Sequence, residues 1–341
     1  MNFVNNLVLV TCAGHYFGQG IKAWISMDVE AMHRLFEERG FHTSILEYDE
    51  LAEDIQKVKD SIIVYSSTQK PGYKDYLEDI LLGLLAQGNH LIPSFDMFRA
   101  HENKGYQEIL RQLNGIPEVS GTYYSGWRNG VDQKDIVYPV VLKSVVGSRS
   151  AGVKLIRSKK ELQSHIAPYE RLPLRWKIHQ LVRKYLAFKE DGEGWYALIT
   201  PRHRFVLQRF IPNLQCDYKV LGVGEALYVL KRDVRPNDFR ASGSGLLSYI
   251  DAAPALLDYA WNVYSRFREP FLSMDICDTG KGFALIEFQG VHFGPYTLQE
   301  SNCHFVRSAV GWTKVEKKVI LEEEIVKAVC HHLELMSTGP T

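Results

Sequence analysis

Apolar positions along this chain switch repeatedly between two spacings. Residues 7 to 13 (LVLVTCA) form a short apolar run that reads as a buried strand. In AWISMDVEAMHRLFEERG (23 to 40) the apolar residues return every three or four positions, which predicts a helix stopped by Gly40. FHTSILEYDE then alternates as a strand, and DSIIVYSST (60 to 68) reads as a third. YKDYLEDILLGLLAQG (73 to 88) is a second helix with a glycine stop, and HLIPS is a short strand. This β-α-β-α-β order predicts a parallel sheet with right-handed crossovers.

The texture changes near residue 101. HENKGYQEILRQLNGIPEVSGTYY is a helix ending at Asn114 and Gly115, followed by a strand. YPVVLKSVVGSRSAGVKLI (138 to 156) holds two apolar runs around a loop of small residues, and a helix is expected near 159 to 166. The stretch from 168 to 204 is basic and aromatic and shows no period that assigns it. Its Arg171, Arg175, Lys177, Arg183 and Lys184 fit either a docking surface or a solvated helical face. FVLQRFIP, DYKVLGVG and EALYVLKRDV alternate like an antiparallel meander. A helix at 253 to 267, strands LSMDIC and GFALIEFQG, and a helix near 318 to 335 complete the pattern. The fold class read from this is α/β, turning α+β in the C-terminal part.

Composition narrows the function classes. With 341 residues, two or three packed subdomains are expected. Forty basic residues balance forty acidic ones, so no global field recruits nucleic acid or an anionic membrane. Function must come from a site. Cys12, Cys216, Cys277, Cys303 and Cys330 match neither a zinc spacing nor a redox pair, which suggests a reducing compartment. The first residues lack a basic n-region, and no apolar segment approaches the roughly 20 residues a bilayer requires. A cytoplasmic protein is expected. Gly14, Gly18 and Gly20 do not form the dinucleotide fingerprint, and no P-loop motif occurs.

Two features carry candidate chemistry. Lys143 closes an apolar run, and GSRSAG (147 to 152) follows; a fixed cation beside a run of backbone N-H groups suits phosphate oxygens. The same residues also suit an ordinary hairpin with a solvated lysine. Asp275 in one strand and Glu287 in the next, across the turn DTGKG, would set two carboxylates side by side. Carboxylates embedded among apolar residues want a cation, and magnesium takes hard oxygen ligands. His15, His292, His304, His331 and His332 have no spacing that ties them to a nucleophile or metal.

In order along the chain, Lys104, Lys143 with Gly147 to Gly152, LQRFIP (207 to 212), CDYKV (216 to 220), LKRDVRPNDFRASGSG (230 to 245), SMDIC (273 to 277) and IEFQG (286 to 290) resemble the ATP-grasp superfamily. The nearest resemblance is to RimK-type amino-acid ligases, with D-alanine ligases more distant. It implies a pre-ATP-grasp α/β domain at 1 to 97, a central subdomain at 98 to 205, and a C-terminal subdomain with the metal site at 206 to 341. It also implies an ADP-forming ligase using ATP and Mg2+ or Mn2+, joining a carboxylate to an amine or thiol through an acyl phosphate. The partners are then small molecules rather than nucleic acid or membrane, and a homodimer is a family-style expectation. Within the resemblance, Lys104 and Lys143 hold phosphates beneath a flap of Gly147, Ser148, Ser150 and Gly152. Gln208, Arg209, Phe210 and Ile211 face adenine, and Asp217 takes a ribose hydroxyl. Arg240 meets the transferring phosphate and the acyl phosphate and is the foremost catalytic residue, Arg232 is the second catalytic residue, and Lys231 binds the nucleotide. Asp275, Glu287 and Gln289 hold the metal, and His292 and Tyr296 contact the second substrate. Relatives carry Glu-x-Asn where this chain has Glu287-Phe288-Gln289. That departure keeps open a small-molecule kinase and a non-catalytic nucleotide-binding module.

Overall fold

The computed structural model describes residues 5–18, 24–68, 70–119, 121–127, 131, 134–147, 152–185, 199–212, 214, 216–234 and 245–338. The chain divides into two compact units: one of residues 1–102, 110–118 and 212–341, the other of 103–109 and 119–211.

The first unit begins with a parallel sheet of β1 (Asn6–Thr11), β2 (His42–Glu47), β3 (Ile62–Tyr65) and β4 (His90–Ile92), in the order β2-β1-β3-β4. Leu7, Leu9, Ile62 and Val64 pack with Met32, Phe36, Ile325 and Val329 in one core cluster. Val8, Val10, Ile63 and Tyr65 pack with Leu77, Leu81 and Leu84 in another. Burial on both faces is why these strands read as continuous apolar runs. The helix expected from residue 23 instead spans Val29–Glu37, because Asp28 accepts the Ala31 N-H and caps it there. A helix at Tyr48–Glu53 replaces the end of the expected second strand, started by reciprocal bonds between Glu47 and Glu50. The strand order reverses direction at β1, so Cys12 and Ser66 flank the topological switch point where open α/β sheets bind ligands.

The same unit holds a seven-stranded sheet in the order β13-β12-β9-β10-β14-β15, with β11 also paired to β10. Its strands are β9 (Cys216–Val223), β10 (Ala226–Asp233), β11 (Leu247–Tyr249), β12 (Phe271–Asp278), β13 (Phe283–Gln289), β14 (His304–Ser308) and β15 (Gly311–Val315). β12 and β13 pair Asp278 with Phe283 and Ile276 with Leu285, and the register then shifts so that Asp275 meets Glu287. The expected helices are found at Pro254–Phe267 and Leu321–Thr338. The Tyr264 ring of the first lies over Gly222 in β9, where an added Cβ would come within 2.9 Å of it. Gly222→Ala is therefore expected to cost about 1–3 kcal/mol by overpacking, read as a lowered urea midpoint at unchanged m.

The second unit is an antiparallel sheet of β5 (Gly121–Ser125), β6 (Val140–Ser144), β7 (Val153–Ile156) and β8 (Arg204–Arg209), in the order β5-β8-β6-β7. The expected three-strand meander is thus corrected. β8 pairs with β5 and β6, while β9 and β10 form a hairpin in the other sheet. Alternation marks each strand but does not choose its partner. Tyr124, Leu142, Phe205 and Leu207 form the core with Leu162 and Ile166 of the helix Lys159–Ile166. A helix at Leu174–Tyr185 lies in the stretch that sequence left unassigned, with Leu174, Ile178, Leu181 and Val182 exposed on it.

Candidate active site

One face of the seven-stranded sheet gathers alternating charges by register. β9 offers Asp217 and Lys219, two residues apart and so on one face. Asp217 lies opposite Arg232 of β10, and Lys219 opposite Asp275 of β12. Asp275 in turn lies opposite Glu287 of β13, with Ser273 opposite Gln289 beside them.

Arg232 ties this lattice together. Its Nε donates to Asp217 Oδ1 at 2.6 Å and its Nη2 to Asp217 Oδ2 at 2.9 Å. The same Nη2 lies 2.9 Å from Asp275 Oδ2. Asp217 is turned inward, with both oxygens on that guanidinium, so it acts on the site by holding Arg232. Burial pushes the Asp217 carboxyl up to about 6, against the pull of Arg232 and with Asp275 adding to the rise. Lys219 is buried, its Nζ donating to Ser273 Oγ at 2.8 Å and lying 5.6 Å from the centre of the Tyr296 ring. Burial lowers its pKa, while Asp275 and Glu287 oppose the shift. Sequence reading passed over Lys219. Its signal was a lone cation in an apolar strand two positions after Asp217.

The donor set suits a hard divalent cation. Gln289 Nε2 donates to Glu287 Oε1 at 3.2 Å, and Gln289 Oε1 is buried with no hydrogen-bond partner. Two paired carboxylates with an orphaned amide oxygen are the ligands magnesium accepts, with phosphate and water as the remainder. Among the described residues, no group of three or more His, Cys, Asp or Glu side chains is gathered around a common point. Lys231 stands apart on the opposite face of β10, where its Nζ pairs with Asp233 at 2.8 Å.

In the second unit, register puts Lys143, Val206, Gln208 and Gly121 on the sheet face away from the apolar core. The start of helix Lys104–Leu113 covers this face. Lys104 Nζ donates to the Gly147 carbonyl, and Glu108 accepts from the Gly121 N-H at 2.9 Å and from Gln208 Nε2 at 3.3 Å. Lys104, Lys143 and Gln208 are all buried. Gly147 and Gly152 border the loop between β6 and β7 at φ of 136° and 75°, conformations that favour glycine. Arg209 is exposed, and Phe210 and Ile211 are half-buried beyond β8. Ser148, Ser150 and Arg240 lie outside the described residues.

His292 follows β13 and its Nε2 hydrogen-bonds the Ser67 carbonyl at 2.9 Å, tying that segment to the carboxyl end of β3. Its ring packs against that of His101, with centroids 4.5 Å apart and planes tilted by 32°, and the His101 carbonyl accepts from Lys74 Nζ. Burial pushes His292 down to about 4, the bond to Ser67 pulling the other way and Lys74 reinforcing the fall. Burial likewise holds His101 well below the usual histidine range. Unfolded, each regains a pKa of about 6.5, so as pH falls below that value the unfolded state takes up protons that the folded state refuses. Stability is therefore present above about pH 6.5 and falls as pH drops toward 4; His292 alone costs about 2 kcal/mol at pH 5. Urea midpoints at pH 7 and pH 5 read this, and His292→Gln should reduce the difference, leaving the share that His101 contributes.

No family model matches the chain, and no curated protein matches it. Solved structures do. The RimK-domain ATP-grasp protein from Sphaerobacter thermophilus is 14% identical with a TM-score of 0.51, over 95% of this chain and 99% of that one. N5-carboxyaminoimidazole ribonucleotide synthetase from Thermotoga maritima is 14% identical with a TM-score of 0.54, over 96% and 76%. The ATP-grasp ligase PsnB, solved with a minimal precursor, is 12% identical with a TM-score of 0.53, over 96% and 98%. What is shared at these identities is the fold.

Proposed function

We propose that this chain, which has the ATP-grasp fold, is an ATP-dependent, ADP-forming ligase that joins a carboxylate to an amine or thiol. The observation that carries the reading is the register that sets Asp275 against Glu287, with Gln289 Oε1 orphaned beside them and Arg232 and Lys219 adjoining.

In the proposed reaction a substrate carboxylate oxygen attacks the γ-phosphorus of ATP and ADP leaves. The amine or thiol then attacks the acyl carbon, and phosphate departs. The protein's task is positioning and charge neutralisation. Arg232, held by Asp217 and directed at Asp275, supplies a fixed forked cation toward phosphate oxygens. Asp275, Glu287 and Gln289 would hold Mg2+, which supplies charge neutralisation at the phosphates when bound. Lys104 and Lys143 are assigned to the phosphates, Gln208 to Ile211 to the adenine, and Arg240 to the acyl phosphate. His292 and Tyr296, with the switch point at Cys12 and Ser66, are assigned to the second substrate. The working parts are residues 1 to 97, 98 to 205 and 206 to 341.

The test is incubation with ATP, Mg2+ and pools of carboxylates, amino acids and thiols, followed by mass analysis. ADP with a condensed product supports the ligase. AMP with pyrophosphate overturns it, and a phosphorylated product that persists without a second substrate reassigns the chain as a small-molecule kinase. Tight ATP binding with no turnover across all pools makes it a non-catalytic module.

A further inference from the structure

The strand β11 borders the charged face of the seven-stranded sheet. It runs antiparallel to β10, with Tyr249 opposite Leu230, Ser248 opposite Lys231 and Leu247 opposite Arg232. β14 meets β10 only at Ala226 and Leu227, further along that strand. Among the described residues β11 has no second strand neighbour. Directly opposed residues share a face, and so do residues two apart, so Leu247 and Tyr249 stand on the Arg232 face. Tyr249 Oη donates to the Tyr296 carbonyl at 3.2 Å, and the Tyr296 ring lies 5.6 Å from Lys219 Nζ. The backbone alternates as well. Asp233 N-H donates to the Leu246 carbonyl at 3.0 Å, which makes Lys231 and Ser248 the next bonded pair along the ladder. Leu247 and Tyr249 therefore turn their N-H and C=O groups away from β10, toward the open edge.

We propose that an extended peptide segment of the acceptor substrate adds to this edge as one more strand. Sheet edges are ordinarily guarded by charge, proline or a bulge. β15, at the end of the same sheet, carries Lys314, and β2, at the edge of the parallel sheet, runs from His42 to Glu47. β11 has no such guard. Leu246, Leu247 and Tyr249 are 49%, 52% and 38% exposed, and no charged residue or proline lies between Gly245 and Ile250. An added strand would pair its backbone with Leu247 and Tyr249 and lay its apolar side chains on theirs, the mode by which open edges recognise peptides. These two residues are about 7 Å apart along the strand, so a segment of three residues is needed to pair with both, which a free amino acid cannot do. Register carries the peptide to the site, since Leu247 is the cross-strand neighbour of Arg232. Calling the peptide the acceptor rests on the ligase reading; its place on β11 does not.

The test uses the full chain and fluorescein-labelled Thr-Val-Thr-Val-Thr, whose valines share one face when extended. Saturable anisotropy is expected, weakened about fivefold or more in Leu247→Pro, which removes one outward N-H and no bond to β10. Leu247→Val keeps that N-H and should retain binding. Proline is tolerated where an edge N-H faces outward, so the melting curve of Leu247→Pro should match the parent. In the ADP-release assay, pentapeptides should show a KM about tenfold below that of free amino acids bearing the same reacting terminus. No saturable binding, or equal affinity in Leu247→Pro, overturns the β11 site. Turnover confined to free amino acids overturns the peptide as acceptor. ADP from no pool at all defeats the ligase reading and the acceptor role with it, while the anisotropy still decides the edge.

Discussion

Replacing Arg232 with leucine is expected to destabilise the protein by about 3–5 kcal/mol, the usual result of stranding a buried charge. Asp217 is only 3% exposed, and both of its carboxylate oxygens accept from Arg232. Without the guanidinium its carboxyl, already raised to about 6, would rise further and take up a proton near neutrality. Lys219 stays close enough to soften the effect. Urea unfolding at pH 7 measures the loss, and Asp217→Asn combined with Arg232→Leu should recover part of it, since the stranded charge is then gone. A loss below about 1 kcal/mol would show that the pair is solvated rather than buried.

Glu287→Gln should leave the fold in place yet lower ADP release with the substrate pools by on the order of a hundredfold or more, the scale of losing one charge-stabilising group at a reacting centre. Gln289 donates to Glu287 Oε1, and an amide can still accept that bond, so the melting temperature should hardly move. Asp275→Asn should behave alike in turnover but also loosen Arg232, which approaches Asp275 Oδ2 at 2.9 Å. Turnover unchanged in both variants would remove the carboxylate pair from the chemistry.

The parallel sheet could be read from the sequence because both its faces are buried, which leaves unbroken apolar runs such as LVLV. The Tyr48–Glu53 helix was hidden because its start depends on reciprocal side-chain bonds between Glu47 and Glu50 rather than on an apolar period. β14 and β15 are half-exposed toward their ends, so HFVRS and GWTKV show no clean alternation. The helix Leu174–Tyr185 leaves Leu174, Ile178, Leu181 and Val182 exposed between basic residues, and apolar positions without a buried face give little to recognise. At the site, Asp275 and Glu287 were visible as carboxylates in apolar strands. Lys219 was not, because a lone lysine in a strand gains meaning only when register sets it opposite Asp275.

The shifted register in the β12–β13 hairpin is what sets the two acids side by side. Counting outward from the turn, unbroken pairing would match Asp275 with Ile286 and Glu287 with Met274, which is fully buried. Ile286 is the supernumerary residue that resets the phase and brings the acidic pair to the same side. A one-residue slip of this hairpin would part the acidic pair, so at residue 286 strand register and the chemistry of the site are fixed together.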